Sequence, residues 1–342
     1  LNQENKPLIS VVIPTYNSAK TLKLVLPSIR EQDVDQERLE ILVVDGGSTD
    51  DTVKLARTYG ARVIPNPRRL PVPALCIGFN EAKGRYCVIT GADEVYIASD
   101  QLSRRMEVFK KHPEVKSILA NRLLTPKHMG FSCSYVNIYG DPFTQFAAQV
   151  KGTMIDNMWR NLVIQEGETY IFRFDEAGAP FIGDGGTTTI DMDYVRKEFS
   201  EELKAEHFAS LMFFEVARKS RYAAVIKSDN IMHYSAASFG VYLKKLVYRI
   251  INNIFDVEQS GYGLMAQTNK KLSRRKYLYP LYCFSVVLPV IDAIVMSIKF
   301  KDAKLLAHPF YCYFVLFTIM WMYIKKFFGQ SLKNKAYVSG KE

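Results

Sequence analysis

Apolar runs and amphipathic stretches alternate from the start of the chain. Leu8–Pro14 is a continuous run rich in β-branched residues, the pattern of a strand buried on both faces. From Ser18 the period lengthens. Leu22, Val25, Leu26 and Ile29 recur on one side, which predicts a helix with Ser18 as its N-cap. Leu39–Asp45 predicts a second buried strand, Gly46–Asp51 a tight turn and Thr52–Tyr59 the next helix. Arg62–Pro65 reads as a short strand, and the stretch holding Pro65, Pro67, Pro71 and Pro73 as a loop. Ala74–Lys83 reads as a helix stopped by Gly84, and Arg85–Thr90 as a strand. This βαβαβ order predicts an α/β domain with an open, mostly parallel sheet.

The later pattern differs. Tyr170–Phe174, with a turn at 177–180, predicts a hairpin; Phe199–Ala217 predicts a helix and Ala223–Ile226 a short strand. Val241–Ile254 sets Leu243, Val247, Ile250 and Ile254 against Lys244, Lys245 and Arg249, the pattern of an interfacial amphipathic helix. Tyr277–Ile298 and Leu305–Ile324 are apolar runs, each near the ~20 residues that cross a bilayer. Pro289, Asp292, His308 and Pro309 interrupt them. With the N-terminal domain in the cytoplasm, two spans would carry the basic linker Lys299–Lys304 outside, against the tendency of cytoplasmic loops to hold Lys and Arg. A re-entrant or in-plane hairpin avoids this, and two core helices of a soluble domain are a third reading.

At 342 residues, 48% of them hydrophobic, the chain is long for one compact domain. The expected division is a domain at 7–235 followed by membrane-associating helices at 236–342. Five scattered cysteines have neither disulfide-ladder nor zinc spacing, as expected of a reducing compartment. The net charge of +10 implies an anionic partner. Lys270, Lys271, Arg274, Arg275, Lys276, Lys325 and Lys326 flank the apolar runs, which favours a membrane surface over nucleic acid, for which no motif is present. The polar opening Leu1–Lys6 lacks a signal-peptide pattern.

Open α/β sheets bind ligands beyond the carboxyl ends of their strands. Three such ends carry polar groups: Pro14-Thr15-Tyr16-Asn17, Asp45-Gly46-Gly47-Ser48 and Gly91-Ala92-Asp93-Glu94. A carboxylate at the second suits ribose or base groups; one at the third suits a divalent cation that neutralises a diphosphate. Taken singly each is weak, since an Asp before a Gly-rich turn is more often turn chemistry than a ligand. Together, IPTYN, VVDGGSTDDT and AKGRY with its acidic strand end resemble the family 2 glycosyltransferases of GT-A fold, over 7–93 and in patches as far as Tyr234.

The resemblance implies a Rossmann-like catalytic domain, a nucleotide-sugar donor (UDP-linked by slight preference), Mg²⁺ or Mn²⁺, and inversion at the anomeric carbon. It implies that Pro14, Thr15, Tyr16, Asn17, Asp45, Gly46, Ala92 and Asp93 surround the donor, and that Asp93 is the metal-binding second acid of the DxD motif. The first acid is Gly91 here, Cys76 stands where members often have Asn, and the family's acidic pair at a late helix start reads Ala205-Glu206-His207.

Attack by an acceptor hydroxyl needs a base. Glu206 and His207 are the candidates; helix neighbours diverge by roughly 100°, so one of them faces a cleft. Glu206 could instead only support a helix N-terminus. His233 is a candidate metal or diphosphate ligand, or an ordinary structural histidine. Gly183–Gly186 with Thr187–Thr189 is either an acceptor-side loop or a plain connection. Arg68 and Arg69 either meet phosphate or are solvated loop charges. The expected enzyme is membrane-attached, with a lipid-linked acceptor at the cytoplasmic face, in polysaccharide or glycolipid assembly. A polyprenyl-phosphate sugar synthase and a non-catalytic nucleotide-sugar binder are the alternatives.

Overall fold

The computed structural model describes residues 7–150, 152–175, 187–235, 238–256 and 274–332. The expected turn at 177–180 and the glycine-rich stretch 183–186 lie outside them. The described residues fall into two contact units: 7–124, 154–175 and 187–234 in the first, 125–150, 152–153, 235, 238–256 and 274–332 in the second. One boundary between the units falls at Tyr234–Ser235. Residues 125–153 also belong with the C-terminal unit, which no break in the sequence pattern announces.

Unit 1 is built on a sheet of ten strands among the described residues: β1 Ile9–Thr15, β2 Leu39–Asp45, β3 Arg62–Pro65, β4 Tyr86–Ile89, β5 Glu94–Tyr96, β6 Ser117–Leu124, β7 Leu162–Glu166, β8 Thr169–Arg173, β9 Thr189–Asp191 and β10 Tyr222–His233. Their order is β3-β2-β1-β4-β9-β6-β10-β8-β7, with β5 pairing with β10. β1, β2, β3 and β4 are parallel, as the alternating pattern predicts. Strands buried on both faces divide their side chains between two layers. Val11, Ile13, Ile41 and Val43 pack with Leu22, Val25, Leu26 and Ile29 of helix α1, Ala19–Arg30. Val12, Leu42 and Val44 pack with Ala74, Leu75 and Phe79 of helix α3, Pro71–Glu81. Between them in sequence lies the short helix α2, Thr52–Thr58.

Several elements depart from expectation for identifiable reasons. The helix α3 begins at Pro71 inside the proline-rich loop, because proline at a helix start gives up an N–H that has no partner there. Ser18 holds the N-cap position of α1, but its hydroxyl bonds the Tyr16 carbonyl. The segment expected to be helical from Phe199 is a 3-10 turn at Glu202–Lys204, and the helix itself, α9, runs Glu206–Ser220. The hairpin at Tyr170 is closed on its other side: β8 pairs with β7 across Gly167, whose φ of 55° suits glycine. β10 is three times the length of the run that signals it, because Lys227, Ser228 and Asp229 form an irregularity between Ile226 and Asn230 that breaks the apolar pattern without ending the pairing with β6.

That irregularity buries a charge. Arg105, on helix α4 Gln101–Lys111, and Asp229 are both fully buried and lie 2.7 Å apart. Gln101 Nε2 donates to the other Asp229 oxygen at 2.7 Å. Arg105 also donates to the Thr187 carbonyl at 2.5 Å and to Thr189 Oγ1 at 2.9 Å.

In unit 2, helix α10 runs Phe239–Ile250. Its buried side chains are Tyr242, Leu246, Tyr248 and Ile250, whereas the expected apolar face members Leu243 and Val247 are half-buried. The run 277–298 is two helices, not one: Lys276–Phe284 and Val287–Phe300 meet at a bend of 91°. Helix His308–Phe327 follows.

Removing one partner of a buried ion pair strands the other charge, at a cost of about 3–5 kcal/mol. Arg105→Met is therefore expected to lower the thermal midpoint of the whole protein by many degrees. Lys204→Met, which removes an exposed pair with Glu201, leaves it unchanged. Calorimetry of the two variants beside the parent checks both.

Candidate active site

The carboxyl ends of β2, β1 and β4 are neighbours in the sheet, so the three polar strand ends share one edge. Thr15 and Asp45 are register partners at the ends of β1 and β2. Asp45, 6% exposed, accepts four hydrogen bonds: from Thr15 Oγ1 at 2.9 Å and Ser48 Oγ at 2.5 Å on one oxygen, and from the backbone N–H groups of Gly47 at 2.9 Å and Ser48 at 2.8 Å on the other. A carboxylate offers about four lone-pair positions, so the turn uses all of them. Gly47 makes the turn possible with φ of 84°.

The first strand end is tied to the same turn. Asn17, at φ 47°, receives the Thr49 N–H on Oδ1 at 2.8 Å and donates its own N–H to Ser48 Oγ at 2.8 Å. Gly46 N–H donates to the Thr15 carbonyl at 2.8 Å, and the half-buried Tyr16 ring lies beside Gly46. Asp50 serves both adjoining helices, accepting from Ala19 N–H at 3.1 Å and Thr52 N–H at 3.0 Å. Burial pushes the Asp50 carboxyl up, but the bonds from Thr52 and Ala19 outweigh it and hold its pKa below the ordinary value. Pro14 precedes these groups in β1. Ser48 belongs to the strand end picked out from the sequence, whereas Thr49 and Asp50 were not singled out as site residues; a hydroxyl-rich turn after a strand-ending Asp is the signal that would have found them.

The third strand end explains its missing acid. Glu94 folds back, and its carboxylate accepts the Gly91 N–H at 2.7 Å. A side chain at Gly91 would begin 2.9 Å from Asp93 Oδ1 and 3.1 Å from the Glu94 carboxyl carbon. Glu94 thus fills the space that an acid at 91 would need. Burial raises the Glu94 carboxyl to about 7, against the lowering effect of the Gly91 hydrogen bond. The Ala92 carbonyl accepts from Thr21 Oγ1 at 2.5 Å. Asp93 faces His233, with Nε2 3.8 Å from Oδ1, because β5 and β10 pair Glu94 with His233. The Tyr234 N–H donates to the Asp93 carbonyl at 2.9 Å. Asp93 and His233 are thus brought together. Among the described residues no group of three His, Cys, Asp or Glu side chains is set to hold a metal.

Glu206 and His207 open α9. Glu206 is ion-paired with Arg68, both groups being about half exposed. His207 is exposed, and its imidazole has no hydrogen bond or ion pair among the described residues. Cys76 on α3 packs its sulfur 3.9 Å from the Leu203 carbonyl; Asn80, one turn on, supplies an amide that donates to that carbonyl at 2.9 Å. Burial, then the charge of Glu206, raises the Cys76 thiol. Of the two loop arginines, Arg68 is thus not merely solvated. Arg69, at φ 57°, lays its guanidinium 3.6 Å from the position a Gly47 side chain would take.

Residues 10–127 match the family described as Glycosyl transferase family 2. A dolichyl N-acetyl-α-D-glucosaminyl phosphate 3-β-D-2,3-diacetamido-2,3-dideoxy-β-D-glucuronosyltransferase of Methanococcus voltae is 31% identical over 110 residues, 30% of this chain and 34% of its own length. Glucosyl-3-phosphoglycerate synthase of Mycobacterium tuberculosis is 37% identical over 118 residues, 34% of each chain. The chain thus matches about a third of the length of these curated relatives. The mannosyltransferase PcManGT of Pyrobaculum calidifontis, solved with GDP-Man and Mn²⁺, superposes with a TM-score of 0.50 over 93% of this chain and 88% of its own, at 15% identity, a likeness of fold.

The raised Glu94 carboxyl sets a pH dependence. The folded state holds its proton more tightly than the unfolded chain, so its contribution to stability is fully present below about pH 4.5 and is lost as pH rises through about 7. Glu94→Gln keeps an acceptor for the Gly91 N–H and cannot ionise. It is expected to flatten the melting-temperature profile across that window and to melt above the parent at pH 8; differential scanning fluorimetry against pH reads both.

Proposed function

We propose that this chain, which carries a family 2 glycosyltransferase domain of GT-A fold, transfers a sugar from a nucleotide-sugar donor to an acceptor held at a membrane. One observation carries the reading: the ends of the adjacent parallel strands β2, β1 and β4 converge, two of them locked together by the Thr15–Asp45 hydrogen bond. That edge is where an open α/β sheet takes a nucleotide. With its carboxylate filled by the turn, Asp45 acts by shaping the cradle of Thr15, Tyr16, Asn17 and Gly46 that would take the nucleoside.

Asp93 and His233 fit the protein's share of a Mg²⁺ or Mn²⁺ site, since such ions take one or two side chains plus substrate phosphate oxygens. When bound, the cation would neutralise charge on the diphosphate. The chain's own contribution is positioning and proton transfer. In an inverting displacement the acceptor oxygen bonds to the anomeric carbon as the bond to the diphosphate breaks, and the acceptor proton passes to a base. Glu206 is the proposed base and His207 the alternative. The many exposed apolar side chains of unit 2, Leu281, Phe284, Ile298, Trp321 and Phe327 among them, support membrane attachment. The dolichyl-linked substrate in the name of the Methanococcus relative supports a lipid-linked acceptor, reached from the cytoplasmic face if the basic flanks follow the positive-inside tendency.

The ion pair between Glu206 and Arg68 favours a second reading, in which that carboxylate is structural and the acceptor is a polyprenyl phosphate, already ionised and in no need of a base. Glu206→Gln separates the two. For a hydroxyl acceptor it is expected to lower the transfer rate about 10²–10⁴-fold with the donor KM nearly unchanged. An unchanged rate favours the phosphate acceptor. A panel of UDP- and GDP-sugars with a lipid extract supplies the assay. Asp93→Asn is expected to abolish the strengthening of nucleoside diphosphate binding by Mn²⁺, measured by titration calorimetry with and without the metal, while the metal-free affinity holds.

A further inference from the structure

The bent helix pair in unit 2 says how this chain meets a bilayer, a question that rests on the membrane reading above. Lys276–Phe284 and Val287–Phe300 are each apolar, yet they turn through 91° at Ser285–Val286. At about 1.5 Å per residue the arms are roughly 13 and 21 Å long, so a right angle leaves about 25 Å end to end, short of the ~30 Å hydrocarbon core. A straight helix over the same residues would reach about 37 Å and cross with room to spare.

The bend is built in. Val286 sits at φ 58°, a left-handed conformation that a β-branched side chain resists. The Ser285 hydroxyl accepts the Leu288 N–H at 3.2 Å and so caps the second arm, satisfying one of the backbone donors that a new helix start exposes. Tyr282 on the first arm donates to Asp292 on the second at 2.9 Å, a strap across the angle. With that proton committed, the fully buried His308 donates from Nε2 to the Tyr282 oxygen at 2.9 Å and accepts the Tyr135 hydroxyl proton on Nδ1 at 2.6 Å. The Tyr139 hydroxyl reaches the Asp292 carbonyl at 3.2 Å. The polar residues that interrupt the apolar runs in the sequence are thus the fasteners of the bend.

What the arms leave unpacked is apolar. Leu281 is 68% exposed and Ile298 73%, with Phe284, Val287, Leu288 and Ile294 also exposed. The ends are basic: Arg274, Arg275 and Lys276 at the start of the first arm, Lys299, Lys301 and Lys304 at or just beyond the end of the second. We infer that residues 276–300 form a re-entrant hairpin that dips into a lipid leaflet and returns to the face it entered from, so that both basic clusters meet the same headgroup layer. This removes the conflict that a span would create, in which one basic cluster crosses the membrane.

Single cysteines at two exposed positions test it, in the full chain: Arg274→Cys and Lys304→Cys. The native cysteines are all buried, which keeps the background low. Sealed membrane vesicles carrying each variant are treated with a membrane-impermeant maleimide, before and after detergent. The expected result is the same pattern at both positions: equal labelling from outside, or equal protection relieved together by detergent. If one position labels in sealed vesicles and the other only after detergent, the segment spans and the inference is overturned. Vesicle flotation of the unlabelled protein keeps the two questions apart: a chain that does not float with lipid overturns the membrane reading itself, and the hairpin with it.

Discussion

The candidate site depends on one saturated carboxylate. Asp45 ends a buried strand and spends both oxygens on its own surroundings: a threonine from the neighbouring strand, a serine hydroxyl and two backbone N–H groups of the following turn. A charge buried to this degree is tolerable only when its lone pairs are met, and here each bond that meets one also fixes a piece of backbone. The turn from β2 into α2 and the turn from β1 into α1 become one object, further joined by Asn17 and Asp50. These bonds hold two of the three polar strand ends together at one sheet edge, and the proposed donor binding rests on that placement.

The same economy of polar groups recurs deeper in the sheet. Asp93 and Glu94 fill the space beside Gly91, and Glu94 turns its carboxylate onto the Gly91 N–H. Arg105 and Asp229 pair in the core and hold Thr187 and Thr189. Burial raises the Glu94 carboxyl, which is why pH reaches stability through it.

Unit 2 handles polarity differently. Its tyrosines, His308 and Asp292 meet one another inside, while leucine, isoleucine and phenylalanine side chains stand outside. This arrangement suits the proposed membrane attachment, because in lipid an unmet polar group costs several kcal/mol and an exposed isoleucine costs nothing. In the proposed re-entrant hairpin, the bend in the apolar run keeps both basic ends at one headgroup layer.

Periodicity alone determined the parallel half of the sheet. Buried strands and one-sided helices have distinct repeats, so β1, β2, β3, β4, α1 and α2 were legible to within a residue or two. Local pattern also placed the three strand ends where chemistry was sought. Other facts were decided by contacts far apart in sequence. β10 extends through Lys227–Asp229 because Arg105 and Gln101, over a hundred residues earlier, neutralise the charge that breaks its pattern. Arg68 pairs with Glu206 across 138 positions, which no reading of either loop could foresee. Residues 125–153 join the C-terminal helices because Tyr135 and Tyr139 find His308 and Asp292, partners fixed only by folding. The apolar run at 277–298 read as one element because composition records apolar length and not direction; the bend at Val286 goes with hydrogen bonds to Asp292 and His308, and these exist only once the helices have packed.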